Sequence, residues 1–136
     1  MARPLKVLVV GVGSIGHRHL RCFQATGRVE LSLCEVNQVL RDRLAREYGI
    51  QRAYASLDAA LADPHDAAVV ATPANFHVSM ATRLAEAGLH VLLEKPVSTS
   101  LAGIDALGKT VAERGVVAAV AYVYHAHPVV QAMRSA

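Results

Sequence analysis

Along the chain, short apolar runs alternate with longer segments in which apolar positions recur every three or four residues. The runs are Leu5–Val10, Val29–Cys34, Arg52–Ala55, Ala67–Ala71, His90–Leu93 and Val116–Tyr122. Most are unbroken stretches of Val, Leu and Ala, the pattern of strands buried on both faces. The segments between them, Ser14–Thr26, Asn37–Tyr48, Leu57–Ala62, Phe76–Ala87 and Ser100–Arg114, read as helices. Asn37 and Ser56 stand where N-caps are expected, and Gly27, Gly49, Gly88 and Gly115 fall just past helix ends. Strict alternation with right-handed crossovers predicts an α/β fold, a doubly wound parallel sheet of about six strands with helices on both faces.

Such a sheet takes ligands at the carboxyl ends of its strands, where the strand order reverses. The first strand runs into Gly11-Val12-Gly13-Ser14-Ile15-Gly16, a GxGxxG placed between a strand and a helix. Gly11 permits the tight turn, Gly13 leaves room for a diphosphate, and Gly16 lets the helix lie close to the sheet. The free N–H groups of the helix that opens with Ser14 and Ile15, at its positive dipole end, suit a doubly negative pyrophosphate. Glycines also mark ordinary strand-to-helix turns, but Glu35 closes the second run at the separation where a carboxylate accepts from a ribose 2′-OH. The competing reading of Glu35 is a solvated loop residue. Its charge would repel a 2′-phosphate, and neither Val36 nor Asn37 supplies a cation, so NAD is the expected cofactor and NADP the disfavoured one.

The fourth run leads into Ala71-Thr72-Pro73-Ala74-Asn75-Phe76-His77. Pro73 keeps Thr72 out of helical geometry, which leaves the hydroxyl and nearby backbone groups free at the crevice. Thr72, Pro73, Asn75 and His77 are therefore candidates to line the cofactor, with His77 equally readable as a polar residue near a helix cap. The fifth run ends in Glu94-Lys95-Pro96, which in isolation reads as a solvated loop.

Taken together, Gly11–Gly16, Glu35, Thr72-Pro73 with His77, and His90-Val91-Leu92-Leu93-Glu94-Lys95-Pro96 resemble the nucleotide-binding half of the Gfo/Idh/MocA family, the group of glucose–fructose oxidoreductase and inositol dehydrogenase. The resemblance covers essentially the whole chain. It implies an NAD(P)-dependent oxidoreductase acting at a hydroxyl-bearing carbon of a sugar, polyol or related substrate. It further implies that Glu94 and Lys95 lie at the cofactor, that Lys95 is catalytic, reaching toward nicotinamide and substrate, and that Pro96 shapes the turn through a cis peptide. A lysine in a crevice can polarise a substrate oxygen. A methyltransferase-like site would also use an acid after the second strand, but would leave Glu94-Lys95-Pro96 without a purpose.

Two departures limit what carries over. Beyond the sixth strand the family has one or two arginines before an aromatic residue, whereas this chain reads Tyr122-Val123-Tyr124-His125-Ala126-His127-Pro128. The chain also ends at Ala136, inside what Pro128, Val129, Val130 and Met133 mark as another helix, without the family's second α+β domain. The expected organisation is a dinucleotide-binding domain over 1–124 and, over 125–136, the start of a helix leading toward a missing C-terminal domain. Such a chain is expected to bind cofactor with negligible turnover alone. The rival reading is a stand-alone, non-catalytic NAD(P)-binding or sensing module.

Composition narrows the alternatives. With 136 residues, 53% of them hydrophobic, the chain can bury roughly two thirds of its unfolded surface without disulfides or metal. Cys22 and Cys34 have neither metal-ligand spacing nor a disulfide framework, which points to a reduced, cytoplasmic compartment. The net charge is +3, and Arg41, Arg43 and Arg46, interleaved with Asp42 and Glu47, read as a solvated helix face with i,i+4 pairing. No basic stripe with aromatic partners points to nucleic acid, and no run approaches the ~18 apolar residues of a membrane span. Homo-oligomerisation is left open. His17 and His19 lie two apart, as do His125 and His127, a spacing that makes no metal site; the first pair reads as one exposed and one sheet-facing side chain.

Overall fold

In the computed structural model, which describes residues 3–135, the chain runs through β1 (Leu5–Val10), α1 (Ser14–Ala25), β2 (Val29–Cys34), α2 (Gln38–Glu47), β3 (Ala53–Tyr54), α3 (Leu57–Leu61) and β4 (Ala67–Val70). It continues through α4 (His77–Glu86), β5 (His90–Leu93), α5 (Ile104–Arg114), β6 (Ala118–Val120) and α6 (Pro128–Arg134), with short 3-10 turns at Ala74–Phe76 and Val123–Ala126. Ala136, the last residue of the expected terminal segment, lies outside the described residues.

The strands form one parallel sheet in the order β3-β2-β1-β4-β5-β6. The chain starts in the middle, winds outward to β3, crosses back to β4 beside β1, and winds outward again to β6. The reversal between β1 and β4 opens a crevice at their carboxyl ends, as doubly wound Rossmann-like sheets do. Alternate strand residues serve opposite layers. Val7, Val9, Leu33 and Val69 pack with Leu20 of α1 and Leu44 of α2. Leu8, Val10, Val70 and Leu93 pack with Leu57 of α3, Leu84 of α4 and Leu107 of α5. Because helices cover both faces, both sets of positions must be apolar, and this is why the runs in the sequence are continuous.

Both expected caps form: Asn37 Oδ1 accepts the Leu40 N–H at 3.0 Å and Ser56 Oγ accepts the Ala59 N–H at 3.2 Å. Most other ends shift by a single residue, and three boundaries have a local cause or mark the sheet edge. Helix α5 starts at Ile104 rather than Ser100, because the Ser98 and Ser100 hydroxyls accept the N–H groups of Ser100 and Ala102 in local turns and Gly103 takes φ +79°. The segment before α4 is a 3-10 turn, so the α-helix begins at His77. Strand β6 is confined to Ala118–Val120 at an exposed edge of the sheet. No helix among the described residues is long and apolar enough to cross a membrane.

Candidate functional site

The three glycines after β1 meet three different constraints. Gly11 has φ +80°, and a Cβ there would sit 2.9 Å from Thr72 Cγ2 and 3.0 Å from the Ala71 carbonyl, so the close approach of the β1 and β4 ends requires glycine. At Gly16 a Cβ would come within 1.9 Å of the Gly11 carbonyl oxygen, against which the first turn of α1 is packed. Gly13 is the opposite case: nothing lies within 4 Å of a Cβ built on it. It is also the N-cap of α1, with no side-chain cap and no acidic residue in the first turn. The opening N–H groups of a helix have no intrahelical acceptor, so Ser14 and Ile15 present donors beside an empty glycine face.

Glu35 is drawn onto this turn. Its Oε2 accepts the Val12 N–H at 3.0 Å and its Oε1 accepts the Asn37 N–H at 2.9 Å, which leaves each oxygen with capacity to accept again. Arg41 is not on a solvated face. Its side chain is only 14% exposed and its Nη1 donates to the Glu35 carbonyl at 2.7 Å, because that carbonyl at the end of β2 offers it a fixed acceptor. Next to Glu35, burial and then the Glu35 charge push the Cys34 thiol up to about 11.

At the end of β4 the Thr72 hydroxyl turns to Met80 Sδ at 3.6 Å rather than standing free, while its methyl group faces Gly11. Pro73 and Asn75 are exposed on the 3-10 turn. His77 is 1% exposed, behind the crevice wall. Its Nδ1 lies 2.8 Å from the Pro96 carbonyl oxygen and its Nε2 lies 2.8 Å from the Thr72 carbonyl oxygen. A carbonyl only accepts, so each contact is a bond when that nitrogen carries the proton.

The Glu94-Lys95-Pro96 turn follows β5 and contains a cis Lys95–Pro96 peptide. Glu94 is buried, with Oε1 accepting from His19 Nε2 at 2.7 Å and Oε2 accepting the Lys95 N–H at 3.2 Å. Lys95 is exposed and borders a cavity of about 410 Å³ whose walls include Tyr122, Tyr124 and Arg134. His19 is the residue that sequence reasoning missed here. Of the first histidine pair, His17 is the more exposed, with Nε2 2.8 Å from Tyr48 Oη, and His19 turns inward to Glu94. The signal was helical spacing, since His19 follows the sheet-contacting Gly16 by three positions and so shares its face.

A larger hollow, of about 810 Å³, lies at the opposite end of the sheet among Arg3, Leu5, Phe23 and Arg28. The Arg3 guanidinium there is committed to both carboxylate oxygens of Asp66, at 2.7 and 2.6 Å. Among the described residues no three His, Cys, Asp or Glu side chains converge as metal ligands would.

The sequence model of the Gfo/Idh/MocA oxidoreductases, described as an oxidoreductase family with an NAD-binding Rossmann fold, matches residues 5–122. The chain belongs to this family. It is 33% identical over 128 residues to UDP-N-acetylglucosamine 3-dehydrogenase of Acidithiobacillus ferrooxidans, covering 94% of this chain and 40% of that protein. It is 30% identical over 125 residues to D-xylose 1-dehydrogenase (NADP(+)) 2 of Haloferax volcanii, covering 90% and 38%. Among solved structures, GenD2 from gentamicin A biosynthesis in complex with NAD superposes with a TM-score of 0.81 at 37% identity, over 88% of this chain and 35% of that one. The chain thus spans about 40% of the length of the curated relatives it matches.

Proposed function

We propose that this family member binds NAD(H) in the crevice at the ends of β1, β2 and β4, and that it is the cofactor-holding part of a dehydrogenase acting at a hydroxyl-bearing carbon of a sugar, polyol or related compound. The observation that carries the reading is the meeting at one point of the uncapped α1 N-terminus, the open face of Gly13 and the Glu35 carboxylate. A diphosphate fits over Gly13 against the Ser14 and Ile15 N–H groups, and Glu35 accepts from the ribose hydroxyls. NAD is preferred over NADP because a 2′-phosphate would meet the Glu35 charge, while the Arg41 Nη1 is engaged with the Glu35 carbonyl.

The bound dinucleotide supplies or accepts the hydride. Lys95, held at the end of β5, donates a hydrogen bond to the substrate oxygen and moves the proton that this oxygen gains or loses. Thr72, Pro73 and Asn75 border the nicotinamide side of the crevice. The substrate class follows the named activities of the relatives, which act on a nucleotide sugar and a pentose. Two unpaired thiols, Cys22 and Cys34, suit a reducing cytoplasm. Calorimetry with NADH and NADPH tests the cofactor assignment on the wild type and on the Glu35→Ser, Val36→Arg double variant. NADH should bind tighter to the wild type, and the double variant should lose or reverse that preference. Tighter NADPH binding by the wild type, or unaltered discrimination in the variant, overturns it.

A further inference from the structure

We propose that His19 and His77 are positioning residues for Lys95, one acting on each side of it along the chain; this rests on the reading of Lys95 given above. An exposed lysine places its ammonium reproducibly only if its backbone is held relative to the crevice. On the preceding side, the Glu94 carboxylate bridges His19 Nε2 at 2.7 Å and the Lys95 N–H at 3.2 Å, with the two side chains only 19% and 10% exposed for His19 and Glu94. On the following side, the Pro96 carbonyl lies 2.8 Å from Nδ1 of the buried His77, whose Nε2 faces the Thr72 carbonyl at the same distance. His19 belongs to α1, the helix whose N-terminus faces the diphosphate site, and His77 opens α4 behind the Thr72-Pro73 loop. The lysine turn is thereby registered to both elements that border the cofactor. Removing the His19 ring takes one of the two partners from the Glu94 carboxylate, and removing the His77 ring takes the Nδ1 partner from the Pro96 carbonyl, which loosens the turn rather than the sheet.

The test exploits a geometric difference between two amides. A glutamine places its side-chain nitrogen near the position of a histidine Nε2, and an asparagine near that of Nδ1. The proposal therefore predicts opposite rankings at the two sites. His19→Gln keeps the donor to Glu94 and His19→Asn does not, whereas His77→Asn keeps the donor to Pro96 and His77→Gln does not. Amide exchange of the nucleotide-free chain is followed by NMR at Lys95, with Val9 and Val69 as strand references. Lys95 should exchange about tenfold faster in His19→Asn and His77→Gln, the factor one net hydrogen bond is worth, and close to the wild-type rate in the other two, with the references unchanged. Equal exchange in the Asn and Gln variants, or acceleration that the strand amides share, overturns the proposal. The half-buried His19 site tolerates either amide, so that pair decides the matter even if a His77 variant fails to fold.

A second readout separates this inference from the reading beneath it. NADH should slow acylation of Lys95 relative to Lys6 and Lys109 in the wild type, and do so less in His19→Asn. If NADH leaves Lys95 acylation unchanged in the wild type, the reading of Lys95 falls and the histidines merely hold a turn. If protection is present and equal in His19→Asn, the positioning role falls while the reading of Lys95 stands.

Discussion

The turns after β1 and β5 present their chemistry in opposite ways. The glycine turn works by the absence of side chains: Gly11 and Gly16 let backbone meet backbone, and Gly13 leaves a space beside free helix N–H groups. The lysine turn works by side chains borrowed from elsewhere, with Glu94 gripped by His19 and the Pro96 carbonyl against His77. A site made of missing atoms is encoded where it stands, in consecutive residues. A site held by distant side chains is spread along the sequence and assembles only when the sheet brings α1 and α4 beside β5. The first should therefore respond to added bulk, and the second to removed donors.

The largest expected effect is at Gly16. Gly16→Ala places a methyl group 1.9 Å from the Gly11 carbonyl oxygen, a clash with backbone that no rotamer relieves. It should cost about 4 kcal/mol or more, in the exceptional range for a single substitution. Urea unfolding reads this directly, and a variant with a wild-type midpoint would show that α1 does not lie where described. Gly13→Val comes next and behaves differently. The N-cap φ of −60° strains no side chain and the space is empty, so the variant should fold normally yet lose NADH affinity by about two orders of magnitude or more, as several charge-assisted hydrogen bonds are blocked. Unchanged affinity in a folded Gly13→Val protein would remove the diphosphate from this turn.

At the lysine turn the expected effect on binding is smaller. Lys95→Ala should weaken NADH by about 1.5 kcal/mol, roughly tenfold, the loss of one charge-assisted hydrogen bond, with no change in unfolding midpoint. A larger loss would mean that the two turns contribute alike to binding and would erase the contrast between them.

The smallest effect serves as a control at the far end of the sheet. The Arg3 guanidinium, and then the Lys6 N–H, hold the Asp66 carboxyl well below the usual carboxylate range. A depressed folded-state value favours the ionised carboxylate, so the contribution of Asp66 to stability is present above the unfolded range, near pH ~4, and fades as pH falls through the folded value. The melting-temperature difference between wild type and Asp66→Asn should accordingly be full at neutral pH and shrink on strong acidification, while NADH affinity at neutral pH is the same for both. A difference that grows with acid would reverse the assigned sign.

Much of the architecture was legible in advance because its causes are local. Unbroken Val/Leu/Ala runs announced strands covered on both faces, and Asn37 and Ser56 announced helix starts that they do cap. Where nonlocal contacts compete, local reasoning lost ground. Arg41 looked like one of several solvated arginines until the end of β2 supplied a carbonyl within its reach. The Thr72 hydroxyl looked free because Met80 is eight residues away and comes near only through the 3-10 turn and the start of α4.

The alternation of strands and helices, the placing of GxGxxG directly after the first strand and the acid at the end of β2 all follow from spacing and residue type, since a glycine's missing Cβ and a strand's periodicity belong to the chain wherever it goes. The partners of Glu94 and of the Pro96 carbonyl do not. His19 lies 75 residues from Glu94, and His77 lies 19 from Pro96. No periodicity relates such pairs. Only the crossover from β3 back to β4, which sets β5 under the flanks of α1 and α4, brings them within hydrogen-bonding distance, and a bond that depends on the shape of the whole sheet has no signature in any one stretch of the sequence.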